Sequence, residues 1–425
     1  MTKFFQVENM GHWMPKGDLH IFPEGSFTIG GSLSDMPNNI SDFFLAKFNS
    51  EGDTMWFKQY EAPLYDICRS IKPTPDGGFA LAGKSRSFGD PDFGQFHLMK
   101  TDSLGNLEWR QSYGQNGVSE DASSLTLTPE GDYMLAGLKG PNGSTEVRVM
   151  RVGSNGSLQW QKTFGGAANA EAYPAITTLS DGNFLLIGAL GIGLGQEAWL
   201  AKIDGSGNLL WEHTYPIDND NVFQHAVEMD NGDLVVVGQD YFYNPDVPIY
   251  YLKSTVTRFT SEGEVIWKRY HYTREDRNNY LFDIVRTSDG GFLAGGFANS
   301  DTSDRQDAWV VKMDSLGCAV PGCELTNSTE DKEETLAGVT LKMTVSPNPY
   351  REVTEVGFYL EHPVGGLVLE TFGPTGKLMN KMPLPGNPGW NAVRFDGAGL
   401  PSGAYFFVLK ADSTVISTCR AVRID

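Results

Sequence analysis

No stretch of this 425-residue chain approaches about 18 consecutive apolar residues, so nothing in it spans a bilayer as a helix. Cysteine is scarce. There are four, and no C-x-x-C pair, which removes the usual zinc and dithiol redox motifs. The seven histidines form no H-E-x-x-H or other metal-ligand spacing. No G-x-S-x-G elbow, Walker loop or helix-opening G-x-G-x-x-G occurs. The run "GIGLG" (191–195) sits between strand-like segments, where its glycines read as turn residues. Positive charge is also short, with 33 Lys and Arg against 53 Asp and Glu, a net charge of −20. Such a surface repels phosphate backbones and argues against nucleic-acid partners.

What is abundant is glycine, 49 residues, with 22 prolines and no run of helix formers between them. With 40% hydrophobic and 12% aromatic residues the chain has enough to bury. That combination favours many short strands joined by turns. The strand "DGGFALAGKS" (76–85) returns as "EGDYMLAGLK", "DGNFLLIGAL", "NGDLVVVGQD" and "DGGFLAGGFA". A second turn, typified by K-x-D-S-x-G, places glycine at Gly52, Gly105, Gly156, Gly207, Gly263 and Gly317, and tryptophan follows four residues later at Trp56, Trp109, Trp160, Trp211 and Trp267. The first strand pair keeps step through Gly30, Gly83, Gly137, Gly188, Gly238 and Gly295.

The second unit predicts strands at 65–74, 79–83, 95–102 and 107–114. Asp-Gly and Gly-Asn pairs supply the positive φ angles of tight hairpins. Four strands per unit of about 40–50 residues is the signature of a β-propeller. The last unit stops after its third strand, while "TKFFQ" at the start resembles the end of a fourth, as in "WQKTFGG" (160–166). The N-terminal strand is therefore expected to complete the last blade and close a six-bladed ring, with seven blades as the alternative. The recurring tryptophans read as blade-packing anchors. The repeats over 1–323 resemble those of secreted multi-bladed propellers of Bacteroidota-type bacteria.

An acidic, Thr-rich stretch, "ELTNSTEDKEETLAGVT" (324–340), reads as a linker. Residues 341–425 then form a second domain of short alternating strands, at 354–361, 366–379, 389–396, 403–410 and 415–424, that suits a small immunoglobulin-like β-sandwich. Several of its motifs stand in order: Ser346, Pro347, Asn348 and Pro349 as "SPNP", "GPTGKL" around Gly376, "LPSGAYFFVL" with Leu400, Gly403 and Tyr405, and a final basic strand. Together they resemble the type A C-terminal sorting domain of type IX secretion cargo. The resemblance implies export across the outer membrane by that machinery, followed by removal of the domain and often attachment to surface lipopolysaccharide. It places the protein outside the cell or on the outer-membrane surface. The first residues, "MTKFFQVENMGHWMPKGD", show no apolar signal-peptide core, so an upstream start or prior processing is expected.

Candidate site residues are few. Cys318 and Cys323 form a C-x4-C pair whose Pro and Gly permit a small disulfide in an oxidising compartment. The acids Asp301, Asp304 and Asp307 in the sixth unit, like Asp35, Asp42, Asp90, Asp92 and Glu197 in others, are expected in loops between second and third strands. There they could hold Ca²⁺ or equally hydrogen-bond sugar hydroxyls, although solvated turn capping is the favoured account of them. The enlarged loop of the fifth unit, "YFYNPDVPIYY" (241–251), offers Tyr241, Tyr243, Tyr250 and Tyr251 as a contact surface. The expected function is a non-enzymatic, secreted or surface binding or adhesion protein with a protein or glycan ligand. The alternative is a propeller glycan hydrolase or lyase, which would need converging acids.

Overall fold

In the computed structural model the described residues are 11–13, 19–35, 38, 40–140, 146–165, 174–191, 196–215, 221–244, 249–273, 277–299, 306–319, 343–348, 350–360, 362–373, 378–411 and 414–424. Among them there are strands, turns and bends and no helix. The chain divides into two compact units, residues 1–285 with 294–310, and residues 286–293 with 311–425.

The second repeat shows how sequence becomes sheet. Its strands, Asp66–Pro73, Phe79–Ser85, Gln95–Thr101 and Leu107–Tyr113, lie antiparallel in chain order, within a residue or two of where the turn chemistry puts them. Gly77 (φ 84°) and Gly105 (φ 74°) close the first and third hairpins in left-handed backbone that glycine adopts without a steric penalty. Residues 119–164, 175–215 and 221–271 repeat the same four-stranded order. In the first repeat the inner strand is split into Gly11–Trp13 and Leu19–Ile21, both paired with Phe27–Asp35. Three strands are described in the last repeat, Asn279–Arg286, Phe292–Asn299 and Gln306–Met313. The segment expected to complete it, residues 2–6, lies outside the described residues, as does the linker.

This is a β-propeller type of repeat, and its cores lie between sheets. Phe43 and Leu45 of the first repeat pack with Ile71, Phe79 and Leu81 of the second. Ala82, Phe96 and Leu98 pack with Leu125, Tyr133 and Leu135 of the third. Val147 and Val149 meet Leu186 and Trp199 of the fourth, and Leu185 and Leu200 meet Phe223 and Val236 of the fifth. No single sheet could bury both of its apolar faces alone, so each repeat depends on its neighbours. Close approach explains the glycine within the second strand of the second, third, fifth and last repeats, though not Gly188 of the fourth, where a Cβ would meet nothing nearer than Pro174 at 3.6 Å. A Cβ added to Gly83, Gly137 or Gly238 would lie 1.9–2.2 Å from a carbonyl oxygen of its own inner strand. In the last repeat that position is Gly296, 1.8 Å from the Tyr280 oxygen, and not the expected Gly295.

The tryptophan–glycine spacing has a reason that crosses repeats. Trp56, Trp109 and Trp160 lie on the outermost strands of the first three repeats and cover the turn glycine of the next, whereas Gly263 lies against His213 and Tyr215 of the fourth. A Cβ at Gly105 would stand 2.9 Å from the Trp56 ring, at Gly156 3.3 Å from Trp109, and at Gly207 2.7 Å from Trp160. Four residues after Trp56, Trp109 and Trp211, the hydroxyls of Tyr60, Tyr113 and Tyr215 donate to the carbonyls of Gly105, Gly156 and Gly263 at 2.7–2.9 Å. In the third repeat Lys162 Nζ takes over, donating to Gly207 at 2.9 Å.

A charge pair also recurs, in two versions. Where aspartate precedes the turn glycine, at Asp76, Asp181 and Asp289, its partner on the third strand is a lysine, Lys100, Lys202 or Lys312, each at 2.7 Å. Where aspartate follows the glycine, at Asp132 and Asp233, the partner is an arginine, Arg151 at 2.8 Å or Arg258 at 2.5 Å. A lysine is a point charge and an arginine a planar fork, so partner identity follows the position of the carboxylate.

The C-terminal strands make two sheets. Thr344–Ser346, Val353–Leu360 and Gly389–Asp396 form one; Leu378–Pro383, Leu367–Phe372, Gly403–Ala411 and Thr414–Arg423 form the other, in that spatial order. Val356, Phe358 and Leu360 of the first pack on Leu367, Leu369, Tyr405, Phe407 and Leu409 of the second. The stretch 366–379, expected as one strand, is two strands that pair with each other, because "GPTG" interrupts it.

Candidate binding surface on the fifth repeat

The fifth repeat is the long one, and its extra residues lengthen a hairpin. Its middle strands, Leu234–Asn244 and Ile249–Phe259, have 11 residues each, against 7 and 7 in the fourth repeat. What the sequence suggests is an enlarged loop is therefore continued strand as far as Asn244 and from Ile249. The reason is composition: Tyr and Phe on both sides of the turn are strong strand formers and pair across it.

Register decides which side chains meet. Tyr243 pairs with Tyr250, Phe242 with Tyr251, and Asp240 with Lys253. Because alternate residues face opposite ways, the four expected tyrosines do not form one surface. Tyr241, Tyr243 and Tyr250 hold positions on one face, and Tyr251 belongs to the other. Tyr243 is 47% exposed.

The Tyr251 face holds the richer cluster. Phe242 stacks on Tyr251 with centroids 5.8 Å apart and meets Tyr270 edge-on at 5.5 Å. Lys253 Nζ lies 4.8 Å from the Phe242 centroid, 4.7 Å from that of Tyr272 and 5.9 Å from that of Tyr251. Beside this cage Asp240 is buried. It accepts a 2.8 Å hydrogen bond from the Tyr270 hydroxyl and pairs with Lys268 at 2.5 Å. Burial, and then the Asp240 charge, push the Tyr270 phenol far above its ordinary range, so it remains a donor. Phe242, Lys253, Tyr270 and Tyr272 escape a sequence search because the last two lie a strand away. The signal available was the aromatic run of "YFYN" (241–244) and the alternation of "YHY" (270–272), read with the hairpin register.

A second polar group lies on the inner strands. His225 Nδ1 is 2.7 Å from Asp283 Oδ1, joining the fifth and sixth repeats. Burial raises the Asp283 pKa, but the hydrogen bond and charge of His225 outweigh it, with a smaller contribution from Lys72, and the carboxyl sits below its usual range. Arg69 makes a bidentate pair with Asp121 at 2.7 Å, linking the second and third inner strands.

The remaining expected residues fall as follows. Asp301 and Asp304 lie outside the described residues. Asp307 is exposed on Gln306–Met313, a strand rather than a loop. Asp42 and Asp90 take their hydrogen bonds from Gln59 and Ala62, and from Asp92, Phe93 and Gly117. Among the described residues no group of three or more His, Cys, Asp or Glu is placed to hold a metal ion. Cys318 is disulfide-bonded, and Cys68 and Cys419 are in no disulfide; Cys323 lies outside the described residues. In the C-terminal unit the Pro347 carbonyl accepts from Thr354 (2.8 Å) and the Asn348 side chain from the Val422 amide (2.8 Å), following Ser346 at a strand end. Tyr350, next but one, exchanges backbone bonds with Val422 and Ile424. Leu400 packs on the sandwich core, Gly403 pairs with Arg423, and buried Tyr405 donates to Pro401 at 2.8 Å. Pro349 and Gly376 lie outside the described residues.

No family model and no curated protein matches this chain. Among solved structures it is similar to the polysaccharide lyase Uly1 (12% identity, 89% of each chain, TM-score 0.44). It is similar also to the β-propeller domain of the Trilobed protease from Pyrococcus furiosus (8% identity, 83% of this chain and 91% of that one, TM-score 0.41). A third is an endo-arabinase from Bacteroides thetaiotaomicron (11% identity, 71% and 94%, TM-score 0.34).

Proposed function

We propose that this is a secreted or cell-surface protein in which a six-bladed propeller presents a binding surface on its fifth repeat and an immunoglobulin-like C-terminal module directs type IX export. The observation that carries the binding role is the lengthened hairpin. It departs from the repeat length and carries Phe242, Tyr251 and Lys253, whose ammonium also faces Tyr272 at the end of the neighbouring strand, away from the interleaved cores that bury the other repeats. Exposed aromatics with polar tips are the residues that dominate recognition surfaces. The ligand is an extracellular glycan or protein.

The export half rests on the sequence resemblance. The bonds of Asn348 and Tyr350 to the final strand support it, since they explain why "SPNP" and the basic terminus occur together.

Two measurements test the reading. A glycan array and pull-down with the full chain should give a signal that Tyr251→Ala or Tyr272→Ala lowers; signals unchanged in both would refute the surface. Deleting residues 341–425 in a type IX-competent host should leave the protein in the periplasm, and normal surface display would refute the sorting role. A second reading, a secreted glycan hydrolase or lyase, draws on the His225–Asp283 pair, whose carboxylate would orient the imidazole as a base. Release of reducing or unsaturated ends that His225→Ala abolishes would favour it.

A further inference from the structure

Lys253 is the unusual member of the fifth-repeat surface. Three aromatic rings surround its ammonium at 4.7–5.9 Å. The carboxylate opposite it in register, Asp240, is already committed to Lys268 and the Tyr270 hydroxyl. Among the described residues no carboxylate pairs with Lys253. The charged side chains named on this face, Lys253, Lys268 and Asp240, sum to +1 on a protein whose total is −20. Charges beyond about 8 Å are largely screened at physiological ionic strength, so this local excess governs what docks here.

From this we infer that the cage of Phe242, Tyr251, Lys253 and Tyr272 receives an acidic sugar residue of a glycan. The CH face of the pyranose lies on a tyrosine ring, and its carboxylate or sulfate takes the Lys253 ammonium. The rings hold the ammonium in place without neutralising it, leaving its N–H donors for an anion. The flat tyrosine faces supply apolar contact of the shape a sugar ring presents. A neutral sugar would leave the ammonium unmatched; a cationic ligand would be repelled by it. This rests on the glycan-binding version of the proposed function.

The test is calorimetric titration of the full chain with four oligosaccharides: a galacturonate hexamer, its methyl ester, a sulfated carrageenan hexamer and xylohexaose. Galacturonate, carrageenan or both should bind, more weakly as salt rises, and the pair separates carboxylate from sulfate as the group recognised. Lys253→Met keeps the aliphatic stem in the cage and should weaken the anionic ligand by about tenfold or more. Lys253→Arg should restore most of the affinity, and Tyr272→Ala should weaken binding with unchanged circular dichroism. If xylohexaose and the methyl ester bind as tightly as the acids and Lys253→Met changes nothing, the inference fails while glycan binding stands. If no oligosaccharide binds the folded protein, both fail.

Discussion

Acidification should destabilise this protein through one histidine. His97, on Gln95–Thr101, is buried against Phe43 of the first repeat (5.7 Å, edge-on) and Phe88 (5.4 Å, stacked). Its Nδ1 meets Ser112 Oγ at 2.9 Å, and Nε2 has no partner. Burial, helped by the Arg110 charge, pushes its pKa down to about 3. The unfolded chain takes a proton near pH 6.5 and the folded one does not. The stability is therefore complete above that pH and declines by about 1.4 kcal/mol per unit until the folded pKa is reached. At pH 5 the loss from His97 alone is about 2 kcal/mol. His97→Phe removes the titration. It costs something at neutral pH, because Ser112 loses a partner and the ring is larger, so the quantity that matters is the slope. Urea unfolding followed by tryptophan fluorescence at pH 7.5 and pH 5 gives it, with the other six histidines common to both proteins. The parent should lose about 2 kcal/mol more than the variant over that interval. Coincident slopes would refute the account of His97 as a neutral, water-excluded imidazole.

Arg148→Met leaves the fully buried Glu120 carboxylate without its guanidinium and should cost about 3–5 kcal/mol, with Arg148→Met/Glu120→Leu recovering most of it. Thermal melts in which the double variant is as unstable as the single would count against the pair being a desolvated charge problem. Gly156→Ala should destabilise more than Gly182→Ala, since both have φ near 80° but only Gly156 lies under a tryptophan, while nothing lies within 4 Å of a Cβ at Gly182. The shared backbone strain is about 1–2 kcal/mol, so equal losses in chemical denaturation would mean that Trp109 packing contributes nothing.

Much of the fold was legible in the sequence because turn chemistry is local. Asp-Gly at 76–77 and the glycine of "DSLG" at 102–105 fix hairpins whatever surrounds them, and the second repeat's strands fall where those turns require. The tryptophan period was also visible, and its reading as packing holds for Trp56, Trp109, Trp160 and Trp211; the turn glycine of the following repeat that the first three cover was not visible, since the contact joins residues some 45–50 positions apart. The pairing of lysine with Asp76 and of arginine with Asp132 was likewise present in the letters, but acquires meaning only when the second and third strands lie side by side.

The candidate site shows the division most clearly. Sequence alone marked the fifth repeat as longer and tyrosine-rich, because length and composition are properties of a segment. Only the tertiary structure decided that the added residues extend two strands, that strand alternation sends Tyr251 and Tyr243 to opposite faces, and that Tyr272 completes the ring around Lys253 while Tyr270 meets Phe242 edge-on. The physical reason is that a repeat's turns are set by backbone preferences within four residues, whereas a surface is assembled across strands by register. A shift of one residue would exchange every side chain on it.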